Sequence, residues 1–184
     1  LRRALKLDPT QSAAYVNMGT VFFRRKQIPQ ATACLARAVE LAPDDLTATT
    51  KYAELLCMNG GIRQAEAILR RGLRITPNFP PIAGKLAWLL ATSTDPDVRD
   101  APEAIRLAKI AQAYGQRPST LLALAAGYAA DGQFATASAI ANQALTKARQ
   151  QGNTAAAERA SEHLRRYDKE QPLQLDSYDR VEGW

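Results

Sequence analysis

A 34-residue period in proline and apolar residues constrains the fold of this chain more than any other feature. Pro9, Pro43 and Pro77 follow one another at this interval. Four further columns share the period, and their members are Leu7, Leu41 and Ile75; Gly19, Ala53 and Ala87; Met18, Tyr52 and Leu86; and Phe22, Leu56 and Leu90. So many columns in phase indicate a repeated structural unit, and each copy is expected to bury its apolar face against its neighbours.

Each unit is predicted to fold as a pair of helices. The first apolar stripe has helical spacing and consists of Tyr15, Met18, Gly19 and Phe22. After a break at residues 26–30, a second stripe follows at Ala31, Leu35, Ala38 and Leu41. Pro43 should end the second helix, and Asp44 or Asp45 should cap the next one. Gly19, Ala31, Ala53, Ala65 and Ala87 are small, so we expect helices to cross closely there.

These columns resemble the tetratricopeptide repeat. That family's pattern is a large residue, Leu-Gly, an aromatic residue, Ala, a large residue, Ala and Pro. The first copy here is Tyr15, Met18, Gly19, Phe22, Ala31, Leu35, Ala38 and Pro43. The second is Thr49, Tyr52, Ala53, Leu56, Ala65, Leu69, Gly72 and Pro77, and a later one is Leu121, Leu124, Ala125, Tyr128, Gly132, Phe134, Ala137, Ala141 and Ala144.

The resemblance covers about residues 1–150 and implies an all-α, right-handed superhelical solenoid of antiparallel helix pairs. The stretch LAWLLATSTDPDVRDAPEAIRLAKIA is also similar to a module found near the C-termini of bacterial tetratricopeptide proteins. Because the chain opens without Met, inside an expected helix, we interpret it as the C-terminal part of a longer bacterial protein.

The predicted organisation follows from the period. It comprises the end of a preceding repeat at 1–8, repeats at 9–43, 44–79, 80–117 and 118–150, a capping helix at 153–169 and an extended tail at 170–184. The capping helix should place Ala157, Ala160, Leu164 and Tyr167 on one side and its polar residues, His163 included, on the other. In the tail, Leu173, Leu175 or Trp184 is expected to pack.

The third repeat contains an expanded loop, residues 92–101, which is rich in aspartate. Leu90 and Ala104 are fourteen positions apart, whereas Phe22 and Ala31 are nine apart, so five residues are inserted. Asp100 is predicted to cap the next helix, with Glu103 as its capping-box partner. A calcium loop is not expected, since the stretch DPDVRDAPE lacks a central glycine and includes Arg99.

The residue types present argue against a catalytic, metal or cofactor site. His163 is the only histidine, and Cys34 and Cys57 have no CxxC spacing. No phosphate-binding or dinucleotide-binding glycine motif is present. We therefore expect no catalytic residue, metal or cofactor. No apolar run is long enough to cross a membrane. The compartment is not fixed: the cytoplasm is slightly favoured, and the periplasm would require upstream segments.

Protein binding is the function that the resemblance implies, because the first helix of each repeat lines a concave surface in that family. The positions expected to face this groove are Val16, Thr20, Phe23, Arg24, Thr50, Glu54, Met58, Lys85, Trp88 and Leu122. Trp88 is the predicted anchor, since aromatic residues in concavities are typical hot spots. The alternative is that neighbouring helices or the C-terminal segment cover it. The expected partner is a protein segment, extended or helical.

Other binding modes stay open or are disfavoured. Some family members hold a C-terminal carboxylate with Lys and Asn from successive first helices; Lys51 and Lys85 are present here, but the Asn partners are not. RNA binding, as in pentatricopeptide arrays, is disfavoured because no polar base-reading pair recurs at fixed positions. The net charge of +6 is scattered in short runs along the chain. Self-association, as a module of a larger membrane or signalling protein, could use an apolar end at Leu1, Leu5 and Leu7.

Overall fold

The computed structural model describes residues 11–174, and within that range it contains nine α-helices and no strand. In chain order these are α1 Ser12–Arg24, α2 Ile28–Leu41, α3 Leu46–Met58, α4 Ile62–Ile75, α5 Pro80–Thr92, α6 Ala101–Ala113, α7 Pro118–Ala130, α8 Phe134–Gln150 and α9 Thr154–Tyr167. The chain divides into two compact units, Leu1–Ile75 and Thr76–Trp184. The half-repeat predicted at 1–8 lies outside the described residues.

In the first unit, each described helix packs on the next one along the chain. Its described core includes these clusters of buried residues: Ala31, Leu35 and Leu55; and Ala38, Val39 and Ala48. Most of these residues belong to the second predicted stripe or to the facing side of α3. The prediction of consecutive helix pairs is therefore confirmed, and the pattern residues Ala31, Leu35 and Ala38 lie in the core.

Small residues bring α1 and α2 together as predicted. A Cβ atom added at Gly19 would lie 2.9 Å from Cγ of Leu35 and 3.3 Å from the carbonyl oxygen of Ala31. Both distances are shorter than ordinary van der Waals contact, so a side chain at this position would push the pair apart. Ala31, Ala53, Ala65 and Ala87 are all fully buried.

The predicted helix boundaries around Pro43 are also confirmed. Helix α2 ends at Leu41, and Asp45 caps α3. Oδ1 of Asp45 accepts hydrogen bonds from the amides of Thr47, at 2.9 Å, and Ala48, at 3.0 Å. Two amides at the start of α3 that lack partners within the helix are thereby satisfied.

A recurring turn ends five of the described helices, and sequence reasoning missed it. In four of them the second residue after the helix has positive φ: Lys26 at 58°, Gly60 at 79°, Gly132 at 78° and Gly152 at 63°; after α9 it is the third residue, Glu170, at 54°. The following amide then bonds a carbonyl in the last turn, as Gln27 does to Phe22 and Gly61 to Leu56. This is the Schellman geometry, which favours glycine. Lys26 is the exception among the four.

In the second unit, α5 packs on α6 and α7, and α7 packs on α8. Helix α9 packs on α8 and also contacts α7, just as α7 itself packs on α6 and α5. It therefore occupies the position that the first helix of a further pair would take. Its buried side consists of Ala156, Ala160, His163 and Tyr167.

The buried side of α9 differs from the prediction, which placed His163 on the polar side of this helix. The side chain is buried, whereas Ala157 and Leu164 are only half-buried. In the following segment Leu173 is buried, as expected for part of the tail. Leu175 and Trp184 lie outside the described residues.

The acidic loop is a structured connection between α5 and α6. Asp95 accepts a hydrogen bond from the amide of Asp97 at 3.1 Å, and Val98 is buried beneath the loop. Asp100 caps α6 by accepting from the amide of Glu103 at 3.0 Å, as predicted. The reciprocal half of the capping box was wrong, because the amide of Asp100 donates to the carbonyl of Leu90. The carboxylate of Glu103 bonds Arg106 instead.

Candidate binding site

A cleft of the second unit opens between the N-terminal parts of α5 and α7 and the end of α6. Its volume is about 370 Å³. We call it the α5–α7 cleft; it is lined by Pro80, Pro81, Gly84, Lys85, Trp88, Ala111, Tyr114, Gly115, Arg117, Ser119, Thr120 and Ala123. These residues come from α5, from the end of α6 and the turn that follows it, and from the start of α7.

The sequence builds this cleft from small side chains and prolines. Pro80 and Pro118 stand in the first turns of α5 and α7, where a residue without an amide hydrogen is tolerated. A Cβ atom at Gly84 would meet only Cβ of Ala111, at 3.4 Å, which is ordinary contact. The absence of larger side chains at these two positions keeps the space between the helices open.

The charged residues that line the cleft are cations, and an exposed tyrosine lies at its edge. Lys85 and Arg117 line it, and none of its lining residues is acidic. Tyr114 lies at the end of α6 with 71% of its surface exposed, the largest value among the exposed large hydrophobic residues of the described chain. The cleft therefore combines positive charge with an exposed aromatic ring.

Trp88 contributes to the cleft but is largely covered. Only 7% of its surface is exposed. Its ring stacks on the imidazole of His163, with centroids 5.4 Å apart and planes inclined by 22°. His163 in turn contacts the ring of Tyr167, at 6.0 Å. The C-terminal helix α9 thus covers Trp88, which is the alternative that the sequence left open.

The three rings form a buried aromatic cluster, in which Trp88 and His163 are stacked and Tyr167 is tilted by 58° against His163, and each ring carries an unsatisfied polar atom. Nε1 of Trp88, Nδ1 of His163 and the hydroxyl of Tyr167 have no hydrogen-bond partner in the described part of the chain. Burial, reinforced by Arg159 and Arg166, lowers the pKa of His163 to about 3. Burial also raises the pKa of the Tyr167 hydroxyl well above its ordinary value. His163 is therefore a neutral ring at neutral pH.

The predicted groove residues of the first unit come together only in part. Thr20, Phe23 and Glu54 line a smaller cleft of about 70 Å³, together with Gly19, Leu35, Lys51 and Leu55. Phe23 is 39% exposed there. The remaining predicted residues of this unit, Val16, Arg24, Thr50 and Met58, do not line it. Val16 and Met58 pack against the core.

In the second unit, two of the three predicted groove residues line the α5–α7 cleft. These are Lys85 and Trp88, whereas Leu122 is buried within α7 and is not part of the lining. Sequence reasoning missed Tyr114 and Arg117, because it considered only positions on first helices. The signal that could have revealed them is the short segment YGQRP between α6 and α7, which places an aromatic residue beside a cation in a turn.

Residues 11–174 lack two other kinds of site. This range contains no group of three or more His, Cys, Asp or Glu side chains that could hold a metal ion. It also contains no helix long and apolar enough to cross a membrane.

The architecture defines a class of protein, the all-α solenoids built from consecutive antiparallel helix pairs. Within that class, comparison with solved structures shows that the chain has the tetratricopeptide-repeat fold. No protein-family model matches the sequence, and no curated protein matches it significantly.

Three similar structures illustrate the fold. TTC0263, a thermophilic TPR protein of Thermus thermophilus, has a TM-score of 0.68 and 21% identity, over 89% of this chain and 86% of its own. PilW, a type IV pilus biogenesis factor, has a TM-score of 0.64 and 18% identity, over 86% and 78%. A putative kinesin light chain of Podosopora anserina with TPR-like repeats has a TM-score of 0.65 and 16% identity, over 88% and 87%.

Proposed function

We propose that this chain is a protein-interaction module that binds a short segment of a partner protein and performs no chemistry. The observation that carries the proposal is the α5–α7 cleft, an opening of about 370 Å³ with an exposed tyrosine at its edge. Helix-pair solenoids generally act by presenting such surfaces to other proteins. We also propose that the protein is bacterial, as the sequence led us to expect.

Size and chemistry both favour a peptide segment as the ligand. The cleft lies near the lower end of the range for ligand sites, about 300–1,000 Å³, so it holds a few residues of a partner chain. Its lining includes no histidine, cysteine or carboxylate to act as nucleophile or general base. Exposed tyrosine is a common anchor because its ring offers apolar area and its hydroxyl offers a hydrogen bond.

The smaller cleft at Phe23 supports a second contact area within the same proposal. Thr20, Phe23 and Glu54 are predicted groove residues that line one opening. We propose that they extend the binding surface of the first unit. Phe23→Ala and Tyr114→Ala, tested separately, would assign bound peptide to one unit or the other.

Filling the α5–α7 cleft tests the function directly. Gly84→Leu should place a side chain in the opening, whereas Gly84→Ala adds only a Cβ atom that the space accepts. Both changes favour the helical conformation of α5, because glycine is the poorest helix former after proline. We expect peptides selected from an end-blocked random library on the immobilised chain to lose at least about ten-fold in affinity with Gly84→Leu, and little with Gly84→Ala.

Several outcomes would contradict this proposal. Failure to select any peptide, or equal binding by the Gly84→Leu variant, would remove the cleft as the binding site. Salt-sensitive binding of single-stranded RNA that Gly84→Leu does not alter would favour the nucleic-acid alternative. If copies of the chain associate in a concentration-dependent manner and no peptide competes with that association, a self-association module would be favoured.

A further inference from the structure

We infer that the partner segment held in the α5–α7 cleft is acidic, with a side-chain carboxylate close to a bulky apolar residue. The inference rests on the proposed function and names the chemistry of its ligand. It follows from three properties of the cleft: its charge, its apolar surface and its size.

The charge of the lining is of one sign. Arg117 and Lys85 are its only ionisable side chains besides Tyr114, and none of the lining residues is Asp or Glu. A cleft whose charged groups share one sign favours ligands of the opposite sign and disfavours those of the same sign.

Arg117 differs from two other arginines of this unit, Arg106 and Arg165. Arg106 and Arg165 each form a hydrogen-bonded ion pair with a glutamate three residues earlier on their own helix. Arg117 lies in the turn before α7, is exposed, and forms no ion pair with any residue in the range 11–174. Its guanidinium therefore retains the capacity to bind a carboxylate with two parallel hydrogen bonds.

The apolar surface lies next to this cation. Tyr114 precedes Arg117 by three positions and is 71% exposed. Pro81, which is exposed, and Pro80, which is half-buried, extend the apolar surface, whereas Ala111, Ala123 and Trp88 are almost fully buried beneath it. A ligand that presents only charge would leave this surface in water, whereas one with an adjacent aromatic or aliphatic residue would cover it.

This arrangement differs from a clamp for a C-terminal carboxylate built from first-helix Lys and Asn side chains. Here Arg117 comes from a turn between two helices, so a carboxylate within a chain can reach it. The inference consequently predicts that a free C-terminus is not required. A basic segment or the phosphates of a nucleic acid are the competing ligands, and the experiment separates them.

The test uses hexapeptides acetylated and amidated at their ends, so that every negative charge comes from a side chain. A positional-scanning library of such peptides is titrated on the full chain by fluorescence anisotropy. We expect the tightest pools to contain Asp or Glu next to Phe, Tyr, Leu or Ile. Replacing the acid in the best peptide with its amide should weaken binding about five-fold, as for one accessible ion pair.

Arg117→Gln and Arg149→Gln form the matched pair of variants. Both remove one positive charge from an exposed site, but Arg149 lies in α8 and does not line the cleft. We expect Arg117→Gln to weaken the acidic peptide about five-fold and its amide analogue hardly at all, whereas Arg149→Gln changes neither. Circular dichroism melts establish that both variants fold.

The outcomes separate this inference from the function on which it rests. Selected peptides that are neutral or basic and still lose affinity with Gly84→Leu would overturn the acidic ligand and leave the binding function intact. Equal losses with Arg117→Gln and Arg149→Gln would also overturn it, since they would indicate a non-specific charge effect. Preferential binding of single-stranded RNA oligonucleotides through Arg117 would replace the peptide with a nucleic acid. If no peptide binds in a way that depends on Gly84, both the acidic ligand and the proposed binding function would be contradicted.

Discussion

Lys26 is a residue whose backbone conformation conflicts with its side chain. It has a φ of 58° in a turn where the equivalent residues of three other helices are glycines. The left-handed region is about 1 kcal/mol less favourable for a residue with a Cβ atom than for glycine. The helix-ending hydrogen bond from Gln27 to Phe22, at 2.9 Å, nevertheless holds Lys26 in that conformation.

We therefore expect Lys26→Gly to raise the free energy of unfolding, by about 0.5–1 kcal/mol. Urea unfolding followed by circular dichroism would measure the change. Lys147→Gly, in the last turn of α8, is the matched control and should lower stability, by up to about 1 kcal/mol. A loss of stability with Lys26→Gly would mean that the lysine side chain contributes more than its backbone strain removes.

At the scale of the single element, α9 shows how burial can override polarity. Its buried residues, Ala156, Ala160, His163 and Tyr167, follow helical spacing as closely as the side that was predicted. The sequence pattern favoured Leu164 for the core because leucine is the more apolar side chain. The stack of His163 on Trp88 decides otherwise, since a neutral imidazole offers a flat face to the indole ring.

The burial of His163 makes the stability of the second unit depend on pH. Its pKa is about 3 in the folded chain and 6.5 in the reference state, so the unfolded chain binds the proton more readily. Stability is then complete above about pH 6.5 and decreases as the pH falls from 6.5 towards 3. At pH 5 the expected loss from this group is about 2 kcal/mol.

His163→Leu isolates this contribution. Between pH 7 and pH 5, urea unfolding of the wild-type chain should show a steeper loss of stability than that of the variant. The other titrating groups are common to both, so the difference reports His163. Parallel pH dependence in the two proteins would show that His163 does not stay neutral in the folded chain.

At the scale of the whole molecule, the aromatic cluster links helices that are far apart in the chain. Trp88 lies on α5 and His163 on α9, and α7 packs on both helices. Helix α7 is rich in buried alanine, including Ala123, Ala125 and Ala126, and such short side chains allow neighbouring helices to approach closely. Removing the indole should therefore loosen α9 as well as α5.

Trp88→Ala should consequently act mainly on stability, whereas Tyr114→Ala should act mainly on peptide binding. We expect Trp88→Ala to lower the free energy of unfolding by about 3 kcal/mol or more, because it empties a buried site. Tyr114→Ala, at 71% exposure, should change stability by no more than about 0.5 kcal/mol while it weakens peptide binding. Urea unfolding and peptide anisotropy on the same samples would measure both, and a stable Trp88→Ala protein would mean that α9 does not depend on the stack.

Much of this architecture was readable from the sequence because it depends on local or periodic properties. The 34-residue spacing of Pro9, Pro43 and Pro77 predicted the helix pairs, since each pair repeats the same packing problem. Gly19 predicted a close helix contact, and Asp45 and Asp100 predicted helix starts, because caps and close crossings depend on one or two nearby residues.

The tertiary structure decided what lies opposite each surface, which no local pattern contains. Trp88 had the spacing of a groove anchor, but whether it is open depends on α9, some 75 residues later in the chain. Tyr114 and Arg117 gained importance only because the turn that carries them lies beside the first turn of α5. The sequence by itself thus determined the repeat, its helices and the caps at Asp45 and Asp100. Only packing between distant helices determined which side of α9 is buried and where a partner segment finds an open cleft, because burial is a property of neighbours brought together in space.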